Sequence, residues 1–569
     1  MTSRSRTWSP LAMLVALALV IGACQAAPGG TTATQEPAGQ PDPSGELITN
    51  TGTEPDTIDP HKASFVGEIE QILSVFEGLM TLDPKTLKPL PAQAAKDPEV
   101  SADLKVWKFT LRDNLKWSDG AAGTAADFAR GFTRTCDPKV AGEYQFVLAT
   151  IVGCDEWYHA DLKKATPAEL DAMKAKLGIK VLDPKTIEFT HKEPVPYFGS
   201  IAYMWVGMPV KQESLDKGGD KWTEPATYIG NGPFILKEWQ HNTKFVYEPN
   251  PNYRLGKAKL AKWTRVMIAE SAVAFAAYKA NEVDSISLLA PDLRAVESDP
   301  KLKAELVDLP YASSFYLGFN VIKAPFNDIN VRQAFSKAFD REDYCKNVVV
   351  ICQPAKAGFI PPGIPGYDET DTVQKFDTAA AKTLLDKASS EAKAALTGIK
   401  LTYSSTAVGK SRAEYIQANY EKNLPGVKVA LDPVDPSAFS GLFKGGATAT
   451  SPQFFSLGWI ADFPDQQNWH STVWGGNATG VSSKRTGYKG AEFNKLTSQA
   501  DGEKDPKKRD DLYNQAGKLL SQDAPAVWAY YGSTKRLMKP WVKGVSFSSI
   551  DAAIGMFKMH EIYVTKKTT

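Results

Sequence analysis

Phe454-Phe-Ser-Leu-Gly-Trp-Ile460 is a mostly apolar run of seven residues that stops in Ala461-Asp-Phe-Pro464. Seven residues is strand length, the aromatic content suits a pleated chain, and the Asp/Pro turn ends it. A strand apolar on both faces needs cover on both sides. Outward from it, strands and helices alternate. Trp107–Arg112 and Thr186–Thr190 alternate apolar and polar residues, as half-buried strands do. Phe234–Trp239 and Lys244–Glu248 read as a hairpin around His241-Asn-Thr243, and Phe315–Asn320 as a further strand. Ala125–Arg134 has helical spacing with Thr124 as its N-cap, and Ala272–Lys279, Asn330–Phe339 and Lys507–Gln522 are further helices. The pattern is α/β or α+β, built in lobes.

The chain is 569 residues long, too long for one core and enough for two or three domains. Its 66 Lys+Arg balance 65 Asp+Glu, so no basic field argues for nucleic acid. Arg4 and Arg6 precede the apolar run Leu11–Ala23, the anatomy of a secretory signal over residues 1–23 and short for a membrane span. Ile21-Gly22-Ala23-Cys24 resembles a bacterial lipobox, which makes Cys24 a diacylated N-terminus. The alternative is an ordinary signal with Cys24 incidental. Residues 24–45, rich in Pro, Gly, Ser and Thr, read as a flexible tether. Without the signal the charge balance is 64 against 65.

Local catalytic motifs are nearly absent from the sequence. Ala407-Val-Gly-Lys-Ser411 imitates the end of a phosphate loop, but position 404 is Ser where a Gly is required. No G-x-S-x-G, H-E-x-x-H or C-x-x-C occurs, and the six His are scattered. The expectation is a non-enzyme with no cofactor and no metal. Four cysteines remain beyond Cys24. Outside the cytoplasm Cys136 with Cys154, and Cys345 with Cys352, are candidates for local disulfides.

A series of short motifs carries a resemblance over most of the chain. They include Phe76-Glu-Gly-Leu79, Lys116-Trp-Ser-Asp-Gly120, Ala125-Ala-Asp-Phe128, Glu193-Pro-Val-Pro-Tyr197, Gly230-Asn-Gly-Pro-Phe-Ile-Leu236, Pro249-Asn-Pro-Asn-Tyr253, Asn281-Glu-Val-Asp284, Pro325–Ala334 and Gly458-Trp-Ile-Ala-Asp462. In this order they resemble the extracytoplasmic solute-binding proteins of the peptide/nickel ABC importer class, family 5, and most of all its oligopeptide-binding members. The resemblance implies a two-lobed periplasmic-binding-protein fold (type II, cluster C) closing on ligand by a hinge. Lobe I would comprise 46–84, 211–310 and 540–569, with an inserted subdomain at 85–210. Lobe II would be 311–539.

It also implies a peptide ligand, permease subunits as partners, a monomer, and attachment to the outer face of the cell membrane through the N-terminal lipid. A binder of varied peptides must read the backbone and the charged termini. The resemblance puts the ammonium on Asp462, backbone bonds on Gly458 and Ile460, and an apolar wall on Trp459 beside Phe455. Phe65, Val66 and Tyr144 match further ligand-lining positions. His61 reads as a surface residue near the cleft mouth. Members that fix the peptide carboxylate carry a basic residue two positions before Gly458, where this chain has Ser456. Oligosaccharide stacking on Phe454, Phe455, Trp459, Trp469 and Trp474, or a metal chelate, is the alternative ligand; a secreted hydrolase finds no motif.

Overall fold

Two long strands organise the computed structural model, which describes residues 39–476 and 480–567. Leu306–Phe319 and Ala526–Met538 run antiparallel, from Leu306 opposite Leu537 to Gly318 opposite Ala526. They sit in the middle of an 11-stranded sheet. On one side Ala526–Met538 leads through Ser285–Ser287 and Glu46–Asn50 to Lys262–Val266, Lys244–Pro249 and Phe234–Gln240. On the other, Leu306–Phe319 leads through Phe454–Ile460 to Ile399–Ser404 and Val429–Val434.

The pairing is broken at two nearby points. The register slips between Tyr311 and Ser314, opposite Gly532 and Tyr531, and again between Phe315 and Tyr316. An extra residue in one strand bends it and sharpens its twist. Gly532 is part of the device, because a Cβ there would lie 2.0 Å from Ser313 Oγ. Met538–Arg536 pair with Ser285–Ser287 ahead of this break, and Gly532–Tyr530 pair with Cys352–Pro354 across it. The long strands thus serve two neighbourhoods joined by a bulged crossing.

A separate four-stranded sheet has the order Glu99–Val100, Val106–Thr110, Thr186–Thr190, Ile179–Asp183. The helix Ala125–Thr135 covers it, opened by Asp127, whose carboxylate accepts from the Thr124 N–H at 2.9 Å. Phe132 of that helix meets Phe189 of the sheet edge-on, with centroids 4.6 Å apart. Cys136, just past the helix, is disulfide-bonded to Cys154, and Cys345 is bonded to Cys352. The Phe234–Gln240 and Lys244–Pro249 hairpin turns at Asn242, whose φ of +57° is one that Asn accepts readily. Ala407-Val-Gly-Lys-Ser411 forms the first turns of the helix Ala407–Asn423, capped by Thr406.

The aromatic residues weighed for sugar stacking went mostly to the core. Phe454, Phe455, Trp469 and Trp474 are fully buried. Phe455 lies over Gly318 and meets Phe443 at 4.7 Å, leaving no face for a ligand. His61, expected at the surface, is buried as well. Its ring bonds to the Met208 carbonyl and to Arg134, which also holds Asp59. Burial works to raise the Asp59 carboxyl, but the bonds and charges of His61 and Arg134 prevail and hold it well below the usual range.

Candidate ligand-binding cleft

The strand Phe454–Ile460 is paired along one edge over its whole length, Phe454 opposite Phe319 through to Ile460 opposite Ser313. On the other edge Ile399–Ser404 meets only Phe454 and Phe455. Ser456–Ile460 therefore present an edge without a strand partner, the arrangement to which an extended chain can add. Beyond it Ala461 N–H bonds to the Ala312 carbonyl at 2.8 Å, and the chain turns through Asp462 into the short helix Gln466–Trp469. Asp465 caps that helix at the Gln467 N–H and is itself gripped by two Arg509 bonds of 2.9 and 2.6 Å.

Asn468, on this helix, fixes the site. Its Oδ1 accepts from the Asp462 N–H at 3.0 Å and from the Trp459 indole at 3.2 Å, so its Nδ2 must face Asp462, to which it donates at 2.9 Å. The other Asp462 oxygen accepts from the Tyr144 hydroxyl at 3.0 Å, and its backbone carbonyl from the Tyr203 hydroxyl at 2.9 Å. Tyr144 and Tyr203 come from the segment that carries the smaller sheet, 318 and 259 residues away in sequence.

Asp462 is only 6% exposed. Burial pushes its carboxyl up to about 6, against the pull of the Asn468 and Tyr144 bonds. No Lys, Arg or His among the described residues forms an ion pair with it. Burial and the charge of Asp462 raise the Tyr144 and Tyr203 phenols, which remain neutral donors. A buried carboxylate with hydrogen bonds but no cation is costly alone and well disposed toward a cation brought by a ligand.

The carboxylate opens into a cavity of about 160 Å³. Phe65 and Val66, 64% and 40% exposed, line it with Tyr203, Trp205, Tyr311 and Met556. Phe65 precedes the helix Val66–Val75, and the Phe65 N–H is held by Glu68 at 2.9 Å. Of the residues singled out in the sequence, Asp462, Ile460, Phe65, Val66 and Tyr144 meet around this one space. Trp459 instead lies half-buried with its indole on Asn468. Gly458 is small because of packing, since a Cβ would come within 2.6 Å of the Phe315 ring. Asn468, Tyr203, Trp205 and Tyr311 carried no sequence signal. Among the described residues no cluster of three His, Cys, Asp or Glu could hold a metal ion, and no helix is long and apolar enough to cross a membrane.

Two sheet neighbourhoods joined through bulged long strands, with a lined cleft beside the crossing, define a two-lobed periplasmic-binding-protein fold. The chain belongs to the bacterial extracellular solute-binding proteins, family 5, whose middle region matches residues 88–480. The periplasmic oligopeptide-binding protein OppA of Salmonella typhimurium is 32% identical over 532 residues, covering 91% of this chain and 93% of its own. The probable deoxycholate-binding periplasmic protein YgiS of Escherichia coli is 31% identical over 504 residues, covering 87% and 89%. Among solved structures, the E. coli murein tripeptide-binding protein MppA superposes with a TM-score of 0.72 at 27% identity, over 93% of this chain and all of that one. An unliganded open form of MppA gives a TM-score of 0.76 at 26% identity, over 93% and 99%.

Proposed function

We propose that this protein captures oligopeptides in extended form and delivers them to an ABC importer. The observation that carries the reading is a buried carboxylate without a counter-cation at the end of an unpaired strand edge. A peptide brings what both features need: an ammonium for Asp462, and N–H and C=O groups for the backbone of Ser456–Ile460. With its ammonium at Asp462 the peptide runs antiparallel to the strand. The apolar walls of Phe65, Val66 and Trp205 accept a first side chain without dictating it. The names of the relatives, OppA above all, support a peptide ligand.

Residues 46–84, 211–310 and 540–569 act as lobe I with 85–210 inserted, and 311–539 as lobe II. Closure swings the two about the bulge at Tyr311–Ser314, and Tyr311 lines the cleft itself. Only the closed form touches ligand from both sides, so ligand favours closure. Signal and lipid site, residues 1–23 and Cys24, lie outside the described residues. In this reading Cys24 is diacylated and tethers the protein to the outer face of the cell membrane. The protein works as a monomer, and a separate ATPase powers transport. Cys24→Ser should release the protein into the medium; retention on membranes would refute the anchor.

Isothermal titration of the purified protein with tri- to heptapeptides, free or N-acetylated, tests the function. Binding of free peptides, with N-acetylation weakening it at least tenfold, supports the proposal. Binding of oligosaccharides or deoxycholate with no response to peptides overturns it.

A further inference from the structure

A second cavity, of about 40 Å³, adjoins the cleft. Leu73, Tyr203 and Met556 line both spaces and so form the wall between them. On the far side stand Met80, Met208 and Met559, all buried. With Met556, four of the chain's ten methionines surround this one small space. Methionine is unbranched and flexible, with a polarisable sulfur, so walls built of it yield to what enters. The acid in the lining, Glu77, is already held by Arg254, Tyr253 and Gln93. The space is therefore offered to apolar groups rather than to cations.

Of the three residues in the shared wall, Met556 is the one that can swing. Leu73 is fixed on the helix Val66–Val75. Tyr203 donates to the Asp462 carbonyl, and its ring meets Phe557 edge-on with centroids 5.9 Å apart. Met556 is half-buried on the segment 548–558, which forms neither helix nor strand. Ile554 and Met559 to either side are buried and anchor the backbone, which leaves the side chain as the moving part. Its sulfur accepts from the Ala552 N–H at 3.2 Å, and a thioether is a weak acceptor, so little holds the rotamer. Ala552 itself lines the cleft, where water or ligand can take over its N–H.

We infer that Met556 is a gate that swings aside for a long apolar side chain on the first residue of the ligand and so sets how far that side chain reaches. The inference rests on the peptide reading above. An ammonium on Asp462 places the first residue in the cleft cavity, because Asp462 and Met556 line it together. A short side chain ends there and leaves Met556 in place. A longer one displaces the thioether and enters the space among Met80, Met208 and Met559. At roughly 10–15 Å³ for each water-sized group, the 40 Å³ beyond the gate takes about three more heavy atoms. Peptides that begin with a long, flexible apolar residue are therefore favoured, and small first residues still bind.

The test is titration of wild type, Met556→Ala and Met556→Ile with tripeptides X-Ala-Ala, where X is alanine, norvaline, norleucine or 2-aminooctanoate. Each buried methylene is worth about fourfold in Kd, so wild-type affinity should keep rising to 2-aminooctanoate. Met556→Ala, with the gate removed, should keep that rise. Met556→Ile, β-branched and stiff, should lose about tenfold or more of the 2-aminooctanoate gain measured against its own alanyl peptide. The same series in wild type and Met556→Ile would overturn the gate, as would a wild-type series that levels off at norvaline. Methyl NMR of wild type labelled at methionine reads the movement directly. The Met556 signal, identified by its loss in Met556→Ala, should shift with the 2-aminooctanoyl peptide together with signals of the buried methionines, and the buried ones should stay with the alanyl peptide. Equal shifts with both peptides would overturn the gate. If the alanyl peptide binds and length changes nothing, peptide capture stands and the gate falls; if no peptide binds at all, both fall.

Discussion

Replacing Asp462 by Asn probes the ammonium site with almost no change of volume. In the native site one carboxylate oxygen accepts from Asn468 Nδ2 at 2.9 Å and the other from Tyr144 at 3.0 Å. Asn468 cannot turn over, because its oxygen already serves the Asp462 N–H and the Trp459 indole. The new amide must therefore set its oxygen toward Asn468 and its NH2 toward Tyr144 and the cleft. A donor then faces the ammonium where an anion stood. A hydrogen bond to a charged group is worth about 1.5–3 kcal/mol, or about 12- to 150-fold in Kd. The opposed donor places the expected loss toward the upper end of that range. Isothermal titration near pH 7.5 reads it directly, with the N-acetyl peptide binding both proteins equally weakly. The ligand-free variant should melt no lower than wild type, since burial already disfavours the ionised Asp462. A loss below about threefold for a free peptide, in a protein that melts normally, would refute the assignment.

The same carboxyl sets a pH dependence. With its value pushed up to about 6, protons compete with the peptide ammonium below that pH, so affinity should fall up to tenfold per unit from pH 6 toward 5 while Asp462→Asn stays flat; equal wild-type affinity at pH 7 and pH 5 would contradict this. Stability of the ligand-free protein runs the other way. Folded-state values raised above 3.8, to about 6 for Asp462 and Asp501 and about 7 for Asp551, mean proton uptake on folding. These groups therefore add stability as pH falls from 7 toward 4, which melting curves across that range can check. Gly458→Ala should destabilise by about 1–3 kcal/mol in chemical denaturation, because Phe315, stacked on Tyr530 at 4.5 Å, cannot easily yield to the new Cβ. Replacing Cys136 and Cys154 by Ser should cost about 3 kcal/mol by the same measurement. It should also weaken peptide binding severalfold, because the disulfide closes the loop that carries Tyr144.

The parts of the fold that were legible in the sequence are those whose pattern is local. Phe454–Ile460, the hairpin around Asn242 and the helix capped by Thr124 announce themselves by length, period or cap. The long strands do not. Of Leu306–Phe319 only the end from Phe315 reads as strand, since Asp308, Pro310 and Ser313-Ser314 break the pattern. Pro310 is tolerated there because the strand on its open side begins pairing only at Ser313. Ala526–Met538 changes from apolar to polar midway as it leaves one neighbourhood for the next, and so matches neither template. In the cleft, Asp462 stood out through its motif, but the groups that aim it did not. Tyr203 and Asn468 are ordinary residues until folding brings them to one carboxylate. The aromatic residues around Phe455 misled for the converse reason: composition cannot distinguish a ring that faces a cleft from one that fills a core.

Native mass spectrometry of the protein purified without denaturation tests peptide capture most directly. The account predicts a ladder of bound masses that fragment into short peptides of varied sequence, lost on denaturation and depleted in Asp462→Asn. A single bound glycan, bile acid or metal chelate in their place would contradict it.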